Sequence, residues 1–257
     1  MASSDPPGAR RLLLRSLGPF WVVVLLVGMW QAWVSAFQID RLVMPGPLDV
    51  FSEFASNPAR YLPYLGATVR HAGIGLVLGT TLGFALAVAS WFSPLLGGMV
   101  STPAILLRAT PIAALTPVIA RVLGYNDNSV IAMAVLISFF PTYVFVASGL
   151  RAVSSGSDDV FTVLHAGRLT RLRRLALPAA VPSLLLALRV SGPIAVLGAL
   201  VAEWLIGVDG LGALLSISRF TYQVATVWAG AILGTLLGVV IFAAAGKLEQ
   251  IGLERWT

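Results

Sequence analysis

SSGSDDVFTVLHAGRLTRLRRLALPAAVP, running from Ser154 to Pro182, decides how the rest of the chain is read. It carries two acids, Asp158 and Asp159, and four arginines, Arg168, Arg171, Arg173 and Arg174, while the stretches on either side avoid charge. A bilayer penalises charged side chains, so a segment like this between apolar spans must lie in water or at the interface. Val160, Phe161, Leu164 and His165 give apolar and aromatic bulk at helical spacing. Asp158 and Asp159 suit the positive end of a helix dipole, and Pro178 and Pro182 end the segment and launch the next span. A polar, partly helical loop of this kind reads as a docking surface for a soluble partner.

Composition places the flanking stretches in lipid. Of 257 residues, 58% are hydrophobic and 11% charged, with a mean hydropathy of +0.89; soluble domains carry about 25% charged residues. The net charge of +6 fits the arginine and lysine bias of cytoplasmic loops. Nucleic-acid binding does not fit, because the basic residues are scattered among hydrophobic spans. Cysteine is absent, which excludes disulfide and thiolate chemistry, and His71 and His165 are too few for a histidine metal cluster.

Charge-free runs delimit about six spans in an all-α integral membrane protein. The first is 16–39; a span needs roughly 20 apolar residues. Its flank of Arg10, Arg11 and Arg15 resembles a signal peptide, but the run exceeds a typical signal core and reads as an uncleaved anchor. The uncharged run 72–107 is too long for one helix, and Ser93-Pro94 and Gly97-Gly98 break it into helices over 67–91 and 95–122. Spans over 128–150, 183–206 and 220–246 complete the set. With the N-terminus inside, cytoplasmic segments hold ten arginines and lysines against five outside, so both termini and the 154–182 loop are expected in the cytoplasm.

The expected organisation is a cytoplasmic tail over 1–15, the first span over 16–39 and an outer loop over 40–66. A core of five spans over 67–250, containing the 154–182 loop, and a cytoplasmic tail over 251–257 follow. In the outer loop, Leu48, Val50, Phe51 and Phe54 supply an apolar face for a short interfacial helix. Gly75, Gly79 and Gly83, and again Gly230, Gly234 and Gly238, recur every four residues, which suits either a subunit interface or packing within one chain. Pro103, Pro111, Pro117, Pro141 and Pro193 interrupt spans, either as kinks or as the broken helices of a transport pathway. Arg108 and Glu203 are the sharpest candidates for pathway residues; either they form an ion pair that holds the spans together, or Arg108 faces a pathway and attracts an anion. Arg189 is expected to snorkel from the cytoplasmic start of its span.

The loop also resembles a known signature. Permease subunits of bacterial ABC importers carry a cytoplasmic E-A-A-x3-G-x9-I-x-L-P pattern. Laid here without a gap it becomes Asp159-Val160-Phe161, three residues, His165, nine residues, then Leu175-Ala176-Leu177-Pro178. The acidic start, the spacing and the Leu-x-Leu-Pro end match; the two alanines and the glycine do not. With histidine where the pattern has glycine, the sharp turn is expected to shift to Gly167. RATPIAALTPVI at 108–119, FFPTYVFVASGLRAV at 139–153 and ALRVSGPIAVLGALVAEWLIGVDGLGALL at 187–215 are similar to the same family, in its nitrate, sulfonate, taurine and bicarbonate branch.

The resemblance implies a type I ABC importer permease fold with a cytoplasmic coupling helix, in a multi-pass protein of the bacterial inner membrane. It implies docking of ATPase subunits, in two copies, through Asp159, Val160, Phe161, Leu164, His165, Ala166, Gly167 and Arg168. A substrate-binding protein would deliver a small solute, and a second permease, identical or homologous, would complete the pathway. No cofactor is expected on this chain, with ATP and Mg on the ATPases, because Gly246-Lys247 has neither the upstream glycine nor the following Ser or Thr of a P-loop. The rivals are an ion-coupled carrier, for which six spans without an internal repeat are few, and a membrane-embedded enzyme, for which Asp158-Asp159 is the lone acidic pair. A non-transporting scaffold is the third.

Overall fold

The computed structural model describes residues 7–254, and the side chains of all of these except 7–20, 104–105, 107–109 and 155. Every regular element among the described residues is helical. Contacts divide the chain into two units, Met1–Pro58 with Ser218–Ala229, and Ala59–Ile217 with Gly230–Thr257.

The first unit holds α1 (Pro7–Ala36), α2 (Pro47–Ser56) and the start of α11 (Val224–Glu254). Pro47 opens α2, where a missing N–H costs nothing, and the Asp49 carboxylate accepts the Gly46 N–H at 3.1 Å. α2 buries Val50 but leaves Leu48 and Phe51 exposed. Glu53 accepts from Thr226 Oγ1 at 3.1 Å, and Trp30 and Trp228 lie 4.8 Å apart, so α2 and α1 are both held to the first turns of α11. Trp21 to Val27 of α1 stay exposed, as side chains that meet lipid would.

The second unit is built on α3 (Pro58–Phe92), α6 (Asp127–Arg151) and α9 (Leu177–Ile206), with α11 alongside; the short α10 (Leu211–Phe220) follows α9 in the chain. Among the described residues, four helical runs are long and apolar enough to cross a membrane: α3, α6, the continuous stretch Arg168–Ile206, and α11. The third expected span departs from the reading. In place of one helix over 95–122 stand α4 (Pro94–Ala109) and α5 (Ile112–Leu123), parted at Thr110–Pro111. Pro111 has no N–H to continue the ladder, and its ring disfavours helical geometry at Thr110.

Glycines set the spacing of the central helices. A Cβ on Gly75 would lie 2.3 Å from Ala134 Cβ, and one on Gly79 would lie 2.1 Å from Ser138 Oγ. The α3 glycine row is therefore packing within one chain, against α6. A Cβ on Gly234 of α11 would likewise lie 2.8 Å from Leu200 Cδ1 of α9. α6 meets α9 through Gly149 on Ser183 and Gly198 on Ile137. Hydroxyls join the three backbones: Ser138 Oγ donates to Gly75 O at 3.2 Å, and Ser191 Oγ donates to Ser138 O at 3.3 Å.

Candidate functional site: the loop between α6 and α9 and the far ends of its helices

α6 runs into the charged loop at Arg151, and Ser154 caps α7 (Ser155–Val163) by accepting the Ser157 N–H at 3.4 Å. Asp158, in the first turn of α7, pairs with Arg171 of the short α8 (Arg168–Arg171). Arg171 also reaches Thr162 Oγ1 at 3.5 Å, so α7 is braced against α8. Between them the chain turns at His165, whose φ is +49°. Gly167 is extended, with φ −62° and ψ 157°, so the left-handed turn stays at the histidine and does not shift to Gly167. His165 Nδ1 lies 3.0 Å from Val163 O.

The loop presents an apolar face to solvent. Val160, Val163 and Leu164 are 56%, 76% and 70% exposed, and Leu169 is 52% exposed. Asp159, His165, Gly167 and Arg168 are exposed beside them, while Phe161 and Ala166 are half-buried. Arg168 reaches Phe92 O at the end of α3 at 3.5 Å. Sequence reasoning named Val160 and Leu164 but missed Val163, Leu169 and the Asp158–Arg171 brace; the three- and four-residue spacing of Val160, Val163 and Leu164 was the available signal. After α8, a π-helical turn over Leu172–Ala176 leads without a break into α9. Leu172 and Ala176 are buried in one cluster with Val146 and Leu150 of α6. The loop is thus anchored in the core at its exit as well as at its entry.

At the opposite end of the same helices lies a buried polar group. Glu203, in the last turn of α9, is fully buried, as are His71 and Thr68 of α3. Glu203 accepts from Thr68 Oγ1 at 2.8 Å and from the Gly212 N–H at 3.0 Å, and it lies 3.0 Å from His71 Nδ1. The Leu211 N–H donates in turn to Thr68 Oγ1 at 2.8 Å. Gly210 has φ +144°, and a Cβ there would sit 2.1 Å from Glu203 Cδ. His71 Nε2 meets Arg70 at 3.3 Å, and Arg70 pairs with Asp127, the first residue of α6. Sequence reasoning singled out Glu203 as an intramembrane charge but not these partners. Arg108 lies in the last turn of α4, and its side chain is outside the described ones.

Two further features bear on the spans. At the α4–α5 break a cavity of about 410 Å³ is walled by residues including Thr110, Ile112, Met133, Phe140, Phe145 and Val190. Arg189, expected to snorkel, pairs with Glu249 of α11 at 2.9 Å and lies 4.4 Å over the Phe242 ring.

Residues 79–250 match the family model described as "Binding-protein-dependent transport system inner membrane component". The formylaminopyrimidine transport permease protein ThiX of Halalkalibacterium halodurans is 29% identical over 239 residues, covering 92% of this chain and 95% of that protein. The putative aliphatic sulfonates transport permease protein SsuC of Bacillus subtilis is 28% identical over 228 residues, covering 88% and 80%. Among solved structures, an amino acid ABC transporter crystallised with histidines superposes with a TM-score of 0.65 at 17% identity, over 80% of this chain and 98% of that one. The MetNI methionine ABC transporter in an inward-facing form gives a TM-score of 0.60 at 18% identity, over 74% and 93%.

Proposed function

The chain belongs to the binding-protein-dependent transport system inner membrane component family, and from that premise we propose how its parts serve an importer. It is the multi-pass permease subunit of an ABC importer and forms the translocation pathway. The α7–α8 loop is the seat of a separate ATPase, which binds ATP and Mg and does the hydrolysis. Two ATPase subunits dock on two permeases, this chain with a second copy or with a homologue. A substrate-binding protein delivers the solute at the opposite face, a small molecule of the kind for which the relatives are named. Both termini lie in the cytoplasm. Arg108, one residue before the end of α4, is the candidate to face the pathway and attract an anion.

The observation that carries the docking assignment is the exposed Val160, Val163 and Leu164 face on a helix whose own position is fixed. Solvent-facing apolar side chains on a short helix at a loop tip gain from insertion into a partner's groove. The Asp158–Arg171 pair and the buried Leu172 supply the stiffness that turns insertion into displacement of α9. ATP-driven closure of two such ATPases would draw the loops together and turn the pathway outward, a shift set by the difference in affinity for the two states. Co-purification tests the assignment. A cytosolic ATPase is expected to follow the intact chain through purification and to be lost when residues 159–174 become a neutral linker; retention by the linker variant refutes it.

A further inference from the structure

Glu203, His71, Thr68, Arg70 and Asp127 form a chain of bonds that the docking assignment does not use. It begins at an accessible surface, where Arg70 and Asp127 side chains are 56% and 44% exposed, and ends at the fully buried Glu203. His71 Nδ1 lies 3.0 Å from Glu203 Oε1, and its Nε2 faces both Arg70 at 3.3 Å and Asp127 Oδ1 at 3.5 Å. With Thr68 Oγ1 and the Gly212 N–H donating and His71 Nδ1 beside it, the Glu203 carboxyl has three polar partners. Networks satisfied in this way rigidify their surroundings. The fit around Glu203 admits little alternative, because Gly210 and Gly212 have no room for a Cβ.

Placement gives the network its meaning. Asp127 opens α6 and Glu203 lies in the last turn of α9. Those two helices enter and leave the 154–182 loop, and both are tied to α3 at the end farthest from it. Between the two ends, α6 and α9 pack closely, with the Ser183 side chain against Gly149 and the Ile137 side chain against Gly198. Packed helices of this kind move as bodies because their interiors resist compression.

We propose that Arg70, Asp127, His71 and Glu203 are positioning residues that pin the outer end of the α6–α9 hairpin to α3. Contact of a soluble substrate-binding protein with the exposed Arg70–Asp127 pair is thereby carried along α6 and α9 to the ATPase seat. This rests on the docking assignment above and adds the outer half of the linkage.

The test uses the complete complex in proteoliposomes, with its ATPase and its loaded binding protein, and reads the ratio of ATP hydrolysis with and without the binding protein. Asp127→Asn and Glu203→Gln are each expected to lower that ratio by about fivefold or more in complexes that keep their ATPase, the lower end of ordinary couplings. The double variant is expected to fall no further than the worse single one, since both changes break one network. Asp127→Glu, which keeps the charge, is expected to retain most of the stimulation. A purely architectural role would alter yield and leave the ratio alone. Wild-type stimulation in Asp127→Asn overturns the inference, as do additive losses in the double variant. If Glu203→Gln does not assemble, Asp127→Asn decides by itself, its carboxylate being partly exposed. A wild-type complex that holds no ATPase sinks the docking assignment instead.

Discussion

At the scale of single residues, His165 and Gly210 both have positive φ, with opposite consequences. His165 holds φ +49° where the importer signature has glycine, so the turn survives the substitution and the histidine bears its strain. A left-handed non-glycine residue costs about 1 kcal/mol. His165→Gly is therefore expected to raise the stability of the purified complex by about that amount in thermal unfolding, with the ATPase held at least as firmly. Gly210 is the reverse case, at φ +144° and with a Cβ position 2.1 Å from Glu203 Cδ. Gly210→Ala should cost about 2 kcal/mol or more from strain and overpacking together, read as a lower melting temperature. The lone charge of Glu203 was visible in the chain, because an acid in an apolar run stands out. Its partners were not visible: His71 lies 132 positions away, and Thr68 and Gly212 are ordinary residues until the fold brings them together.

At the scale of elements, local chemistry was legible wherever a helix depends on its own residues. Ser154 and Asp158 mark the start of α7, and Pro94 opens α4 as a helix-first proline does, whereas α3 begins at Pro58, inside the expected outer loop and ahead of the expected start at 67. The break at Thr110–Pro111 was readable in kind, since a proline in a span can kink a helix or part it, and the structure parts it. The glycine rows were ambiguous because close approach suits a partner helix in either chain, and Ala134 and Ser138 of α6 decide for the same chain in α3. The docking face of α7 makes its own prediction. Val160→Ser with Leu164→Ser removes two exposed apolar anchors while leaving the cap and the Asp158–Arg171 brace intact. Buried interface anchors commonly contribute more than 1 kcal/mol each. The double change is expected to strip the ATPase from the complex during purification while the permease still reaches the membrane; an unchanged ATPase yield would count against α7 as the seat.

At the scale of the whole molecule, the proposed function requires the 154–182 loop and the Gly207–Gly212 turn to stand in different aqueous phases. α9 runs from Leu177 to Ile206, 30 residues, which at 1.5 Å per residue is about 45 Å. The hydrocarbon core of a bilayer is about 30 Å thick, so a helix of that length with an apolar body reaches water at both ends. Ser157, at one end, and Asp209, at the other, are both exposed. The chain has no cysteine, so a single introduced thiol reports its own side without background. The proposed orientation, which rests on the ten-to-five excess of arginine and lysine, has the Ser157 side in the cytoplasm. In intact cells stripped of any outer barrier, an impermeant maleimide is then expected to label Asp209→Cys and spare Ser157→Cys, and in inverted vesicles the pattern should exchange. Labelling of both thiols from one side would mean that α9 does not cross. Labelling of Ser157→Cys alone from outside would put the loop beyond the reach of any cytosolic ATPase, and the docking assignment and the α6–α9 linkage would fall together.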